Sequence, residues 1–442
     1  MQTPAERTAA YRLLRNPKCN ADKLEASRRE ACIQELRACG GDIIVPVDQT
    51  SFNLPDRQKT KNFGSVGNRS KSGRGVHLMT ALVVSSEGTT LGVARQLFWT
   101  RSETPGPARR ADNPNKKERD HRDPDERESK YWPEMLVELR ELFRECGPGV
   151  RPWLQCDRGA DFHGVLREMT SRDFLVTVRV YTNRVIYPPD GRRTNLEPWL
   201  NSLRKRGTER IRTQGGNGKP ARDATLSIRY GRASVALGAE GGGRERVPLY
   251  YVHAREEHPP PGVEPLSWRL ATNFPVRSLG DAKRVLRNYR MRWRIEDLHF
   301  TLKGGGADIE RSQLHTFNRF RCWAIFHSSV AARSERLRHL IRNEPDEPAT
   351  IEFSRKEIDA AILWRLKTTK KNRPPYAPGD TPTVGELILW IADLGGYTGP
   401  RTKPKPGTTP LSLGLERLTL FVEGMQLALE LGLARSPPDE KM

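Results

Sequence analysis

Tyr289, Arg292, Glu296 and Lys303 follow one another at intervals of three, four and seven residues. In a helix, at roughly 100° per residue, the four side chains fall within an arc of about 60°. One face would then present a phenol, a guanidinium, a carboxylate and an ammonium, with Trp293 and Phe300 beside it. A charged stripe of this kind is commonly just a solvated surface. The same stretch also carries Leu286, Ile295, Leu298 and Leu302, which predict a largely buried helix. Charges on a buried helix need charged partners.

Two aspartates answer that need. Asp48 closes the apolar run IIVPVD (43–48), and Asp157 closes PWLQCD (152–157). An Asp at a strand end is often no more than a turn former. If both converge on Glu296, however, three carboxylates repel one another and are tolerable only around cations. Hard divalent ions with oxygen ligands fit best. Two such ions, roughly 3.5–4 Å apart, serve phosphodiester chemistry by clamping the attacking and leaving oxygens. Asp48, Asp157 and Glu296 are therefore the candidate metal ligands. Arg292 and Lys303 cannot ligate a hard metal but pair well with phosphate oxygens.

The elements that would position these groups can be read from the apolar pattern. Residues 4–38 form helices interrupted at Asn16-Pro17 and ended by Gly40-Gly41. Short buried strands are expected over 43–50 and 152–157, and a hairpin over 77–99 around Glu87-Gly88. A helix is expected over 134–146 and another near 160–170. Residues 56–75 read as a basic Gly/Ser-rich loop and 101–128 as a charged, Pro-rich surface excursion. Residues 174–275 contain FLVTVRVY, ATLSIRY, ASVALG and PLYYVHA between basic Gly/Pro turns, an all-β pattern. From Asp281 the chain turns helical, first as one helix over 281–303, then near 312–340, 355–366, 383–394 and 411–433. This order suits a mixed α/β sheet whose strand ends carry a site.

Composition points to a polyanionic partner. The 442 residues carry 75 Lys plus Arg against 54 Asp plus Glu, a net charge of +21. Such a field favours nucleic acid, although an Arg-rich proteome would give the same balance. The six cysteines form no C-x-x-C pair and no zinc spacing with the nine histidines, as expected of free thiols in a reducing cytoplasm. No apolar signal core opens the sequence, and no run approaches the roughly 18 apolar residues of a membrane span. A soluble, intracellular protein is expected.

Y-x2-R-x3-E-x6-K resembles the signature of bacterial DDE transposases of the insertion-sequence-four group, and within it is most similar to the transposon-five type. The resemblance extends in order through AAYRLLRNP (9–17), VDQTSF (47–52), ESKYW (128–132), CDRGAD (156–161), KPARDATLSIRYGR (219–232), LGGYTG (394–399) and GLERL (414–418). It implies an α/β fold with an RNase H-like mixed-sheet catalytic core, an inserted all-β subdomain, and helical N- and C-terminal regions. The corresponding divisions are 1–40 for a partial DNA-binding region, 41–173 and 276–345 for the core, 174–275 for the insertion and 346–442 for a dimerisation region. It also implies cut-and-paste transposition: nicking at transposon ends, a DNA hairpin intermediate, then strand transfer into target DNA.

Carried over by position, Asp48, Asp157 and Glu296 would hold two Mg²⁺, for which Mn²⁺ can substitute. Tyr289, Arg292 and Lys303 would hold phosphates near the reacting strand. Trp268 would hold a displaced base, although in SWRLATNF it reads equally as a core Trp. Arg184 would assist at the hairpin, and Arg179 would contact DNA. Lys219, Arg222, Arg229 and Arg232, like Arg204, Lys205, Arg206, Arg210 and Arg212, would contact phosphates or else form a solvated surface. The implied partners are double-stranded DNA at transposon ends, target DNA and a second copy of the chain. The implied location is the bacterial cytoplasm, at the nucleoid through DNA. One departure stands out: only 47 residues precede Asp48, whereas relatives carry a longer helical domain there. A shortened, dimerising inhibitor of the full enzyme is therefore the alternative function.

Overall fold

The computed structural model describes residues 4–56, 61–66, 73–101, 128–171, 173–213, 221–238, 244–304, 307–369, 375–399 and 405–431. The chain divides into two units. One comprises Met1–Leu24, Gly88–Leu91 and Asp297–Met442; the other comprises Glu25–Glu87 and Gly92–Glu296. Helices α1 (Pro4–Arg15) and α2 (Ala21–Cys39) open the chain on either side of Asn16, whose side chain accepts from the Lys18 amide at 2.9 Å.

The second unit is built on a sheet. Its first strands are β1 (Gly41–Asn53), β2 (Gly64–Val66), β3 (Gly73–Ser85) and β4 (Thr90–Trp99). Helix α3 (Tyr131–Cys146) follows, then β5 (Val150–Cys156), α4 (His163–Glu168) and β6 (Leu175–Arg179). Strand β1 lies between antiparallel β3 and parallel β5, and β5 pairs in parallel with β6. Ile43, Ile44, Val45 and Val47 are all buried, as expected of a strand covered on both faces. Helix α3 buries Trp132, Met135, Leu136, Leu139 and Phe143, an i, i+3, i+4 stripe.

The sheet continues without a break past β6. Strands β7 (Val185–Tyr187) and β8 (Thr194–Asn195), helix α5 (Leu196–Ser202), and strands β9 (Gly207–Arg212), β10 (Asp223–Gly238), β11 (Arg244–Glu256) and β12 (Ser267–Thr272) come next. The path of the sheet is β2-β3-β1-β5-β6-β12-β11-β10-β7-β8, with β4 on β3 and β9 on β10. The result is a mixed α/β unit consistent with an RNase H-like core.

Several expectations need correction. The stretch 174–275 is not purely β, because α5 forms where Leu196 and Leu200, one turn apart, are both buried. Strand β1 does not end near Asp48 but runs to Asn53, since Gln49 to Asn53 find ladder partners from Met79 to Gly75 on β3. Most consequential, 281–303 is two helices, α6 (Leu279–Arg290) and α7 (Trp293–Lys303). Between them the Arg292 amide bonds the Tyr289 carbonyl at 3.0 Å and the Ile295 amide bonds the Arg292 carbonyl at 3.1 Å, a tightened turn. No Pro or Gly marks it, so the apolar period reads straight through. Helix α6 starts from a capping box in which Ser278 and Asp281 satisfy each other's amides.

The first unit is helical in its later part, with α8 (Phe317–Asn343), α9 (Arg355–Thr368), α10 (Val384–Leu394) and α11 (Thr408–Glu430). Leu337, Ile341, Ile358, Ile362, Leu387, Ile388, Ile391, Leu411 and Leu418 form its core. Capping boxes open α9 (Ser354 with Glu357) and α10 (Thr383 with Glu386). Gly395 and Gly414 let the ends of α10 and α11 meet, since a Cβ at either would strike the backbone of Pro410 or Ile391. Among the described residues no helix is long and apolar enough to cross a membrane, and none of the six cysteines is in a disulfide.

Candidate active site

The β1–β5 register sets two of the candidate ligands side by side. Val47 pairs with Cys156, so Asp48 on β1 and Asp157, the first residue past β5, come next to each other along the two parallel strands. Asp48 Oδ1 accepts from the Gln49 amide at 2.8 Å. Asp157 Oδ1 accepts from the Gly159 amide at 2.7 Å and so caps the turn Arg158–Ala160. Each aspartate thus has one oxygen tied to local backbone and keeps further acceptor capacity.

Arg292 links the third carboxylate to the first. It is buried in the tight turn between α6 and α7. Its Nη1 donates to Asp48 Oδ2 at 2.9 Å and its Nη2 to Glu296 Oε1 at 2.5 Å. The Asp48 side chain is 15% exposed, that of Glu296 40%. Burial pushes the Asp48 carboxyl up to about 7, and the charges of Asp157 and Glu296 add to it; Arg292 and the Gln49 amide oppose the rise. Burial alone would lower Arg292, but Tyr289, Asp48 and Glu296 hold it above its usual range, fully ionised.

An aromatic wall backs this cluster. The Arg292 guanidinium lies 5.9 Å from the Tyr289 ring and 5.5 Å from that of Trp293. Tyr289 meets Trp268 edge to face at 6.0 Å. Both rings are buried, Trp268 to 9% exposure, whereas Trp293 is 48% exposed. The Tyr289 hydroxyl is buried without a hydrogen-bond partner in good geometry among the described residues. Arg179 on β6 donates to the Ser267 carbonyl at 3.1 Å. Burial lowers it, Tyr289 opposes, and the charges of Arg158 and Arg292 lower it further.

The other basic candidates are placed differently. Arg184 forms a forked ion pair with the buried carboxylate of Asp161, which also accepts the Tyr181 and Thr182 amides at 3.0 and 2.9 Å. Arg184 therefore clamps the loop after β6. Arg222 is bidentate to Glu256, and Arg229 pairs with Glu257 at 2.9 Å. Lys205 shares Glu257, and Arg210 pairs with Asp223 at 3.0 Å. Arg232 is exposed beside the Tyr250 ring, at 5.8 Å. Lys219 lies outside the described residues. Lys303 ends α7 within the other unit, and burial lowers its ammonium.

Among the described residues no three His, Cys, Asp or Glu side chains are gathered closely enough to hold a metal. The Arg292 guanidinium bridges two of the candidate carboxylates, Asp48 and Glu296. The donor set nevertheless suits a hard divalent ion: all the candidate donors are carboxylate oxygens, and partly buried Asp48 is pushed toward neutrality first by burial and then by the charges of Asp157 and Glu296. Arg292, expected beside phosphate, here contacts two of the carboxylates themselves. Sequence reasoning missed Asp161, Glu256 and Glu257, which take up arginines assigned to DNA. Acidic residues among many basic ones were the available signal.

A mixed α/β unit with Asp48 on β1, Asp157 at the end of β5 and Glu296 on α7 has the make-up expected of the DDE-type enzymes of DNA strand breakage. Comparison with protein families agrees. Residues 120–332 match the family model described as Transposase DDE domain, and residues 329–432 match Transposase Tn5 dimerisation domain. The chain is a DDE transposase, a metal-dependent enzyme acting on DNA. The first match takes in Asp157 and Glu296, while Asp48 precedes it.

Proposed function

We propose that this transposase, of the Tn5/IS4 type, excises and inserts a DNA element with Asp48, Asp157 and Glu296 as ligands for two Mg²⁺. The observation that carries the reading is the linked pair: Asp48 and Asp157 side by side by register, and Glu296 tied to Asp48 through Arg292. Bound Mg²⁺ would supply a nucleophile at neutral pH and stabilise charge on the attacking and leaving oxygens. The chain's own residues do the rest. Arg292, Arg179 and Lys303 neutralise backbone phosphates, and the Tyr289 hydroxyl, buried beside two guanidiniums, donates to an oxygen of one of those phosphates. Trp268 supports a displaced base, so that a nicked end can fold into a hairpin. The Arg184–Asp161 clamp fixes the loop that flanks this end, and Arg232 is the exposed phosphate contact of the insertion. Residues 41–173 and 276–345 act as the catalytic core, 174–275 as the insertion and 346–442 in pairing two copies on the DNA ends.

The test is a plasmid carrying the terminal repeats that flank the coding sequence. Mg²⁺ should yield nicked, hairpinned and excised products in that order, and Ca²⁺ should support binding without cleavage. Linear products without any hairpin would remove the hairpin step. Cleavage that persists in chelator would remove the metals.

Arg292 gives a further prediction. Arg292→Ala removes the shared cation and leaves Asp48 uncompensated beside Asp157. Breaking a buried pair costs about 3–5 kcal/mol, and the partial exposure of Glu296 reduces this to about 2–4 kcal/mol. In chelator the melting temperature should fall, and millimolar Mg²⁺ should raise it more in the variant than in the parent. An equal Mg²⁺ effect in both would show that Arg292 and the metal do not share these oxygens.

A further inference from the structure

Thr80 faces Asp48 across the β1–β3 ladder. Directly opposed residues of an antiparallel pair point to the same side of the sheet, with Cβ atoms about 4.5–5.5 Å apart. Thr80 is therefore a same-face neighbour of the Asp48 side chain. It is fully buried, and its hydroxyl has no hydrogen-bond partner among the described residues. It is also the only polar side chain between Leu78 and Val84.

A hydroxyl buried in an apolar strand without a partner is unfavourable. Valine has the same shape and would fill the position without that burden. The group directly opposite is a carboxylate with capacity to spare: Oδ1 takes the Gln49 amide and Oδ2 takes Arg292, and each oxygen can accept a second bond. At a Cβ separation of about 4.5–5.5 Å the two side chains are within reach of each other.

We propose that Thr80 is a positioning residue for the DDE reaction. Its hydroxyl donates to the Asp48 carboxylate and fixes the rotamer in which Asp48 ligates metal. The assignment rests on the reading of Asp48 as a metal ligand. Hydrogen bonds from beside a metal site orient the ligands, and their loss weakens metal binding or activity about 10- to 100-fold.

The experiment compares Thr80→Val, Thr80→Ser and Asp48→Asn with the parent protein. It uses a duplex carrying the flanking terminal repeat, Mn²⁺ binding by calorimetry, and thermal melts in chelator. Thr80→Val is expected to melt at or above the parent temperature. It should bind Mn²⁺ about tenfold more weakly and nick about 10- to 100-fold more slowly at saturating DNA, with KM for DNA unchanged. Thr80→Ser should recover most of the Mn²⁺ affinity and rate. If Thr80→Val nicks and binds Mn²⁺ like the parent while Asp48→Asn is inactive, the Thr80 assignment fails alone. If Asp48→Asn remains active, the underlying reading fails. If Thr80→Val and Thr80→Ser lose rate together with melting temperature, the position serves packing and the proposal is overturned.

Discussion

Asp48→Asn is expected to abolish Mg²⁺-dependent cleavage of an element end, at least a thousandfold in rate, while making the protein more stable in chelator. Asp157→Ala and Glu296→Ala should be equally inactive, since the proposed chemistry needs all three ligands. The gain in stability follows from the burial of Asp48 and its repulsion by Asp157 and Glu296, which raise its carboxyl to about 7. A group raised in the folded state favours folding most when protonated. That contribution is complete below the ordinary aspartate value near 4, and it is lost as pH rises through about 7. Asparagine stays neutral throughout. The variant and the parent should therefore melt alike below about pH 4, diverge between about 4 and 7, and keep a constant difference above that. The difference should be about 1–3 kcal/mol, allowing for the exposed share of the side chain. Mg²⁺ should then shrink it, by stabilising only the parent. A variant that cuts DNA, or that melts below the parent at pH 8 in chelator, contradicts this assignment.

Trp268→Ala carries the next largest effect, and here the structure adds a cost that the functional role alone would not. The indole is 9% exposed and lies edge-on to the buried ring of Tyr289. Its removal should lower stability by about 3–5 kcal/mol. The same change should slow hairpin formation more than first-strand nicking. Nicking needs only water, the metals and a reachable phosphate, whereas hairpinning needs the duplex end distorted. Base–aromatic stacking is worth roughly 1–3 kcal/mol, which corresponds to about 5- to 150-fold in rate. An abasic site at the displaced position should partly rescue the variant, and Trp268→Phe should be intermediate. The decisive quantity is the ratio of hairpinning on pre-nicked ends to nicking on intact ends, measured below both melting temperatures. A ratio equal to that of the parent would leave Trp268 a packing residue only.

Much of this site is legible in the amino-acid order because it is written by elements with strong patterns. IIVPVD and PWLQCD read as short buried strands, and their parallel register brings Asp48, within β1, beside the end of β5 where Asp157 follows. Across the break between α6 and α7, Arg292 still meets Glu296 by a hydrogen bond and lies beside the Tyr289 ring, so the contacts that the spacing implies survive. The break itself carries no Pro or Gly, and the residue at it, Arg292, pairs with Asp48, 244 residues away. The fates of Arg184, Arg222 and Arg229 were hidden for a related reason. A guanidinium that seeks phosphate and one that seeks Asp161, Glu256 or Glu257 look the same in one dimension, and only the fold decides which carboxylate is near. Thr80 shows the opposite case. An isolated Thr in a Val/Leu/Ala strand is unremarked as sequence, and it acquires meaning only through the register that sets it against Asp48.

Fe²⁺-directed cleavage of the polypeptide tests the central claim most directly, because it reports where a divalent ion sits without requiring DNA or catalysis. Fe²⁺ bound in the site, with ascorbate and peroxide, generates radicals that cut the nearby backbone. The expected result is three sets of fragments, from cuts close to Asp48, Asp157 and Glu296, all suppressed together by excess Mg²⁺ and all absent in Asp157→Ala. Cuts near only one of these residues, or cuts that persist in Asp157→Ala, would contradict a shared metal site.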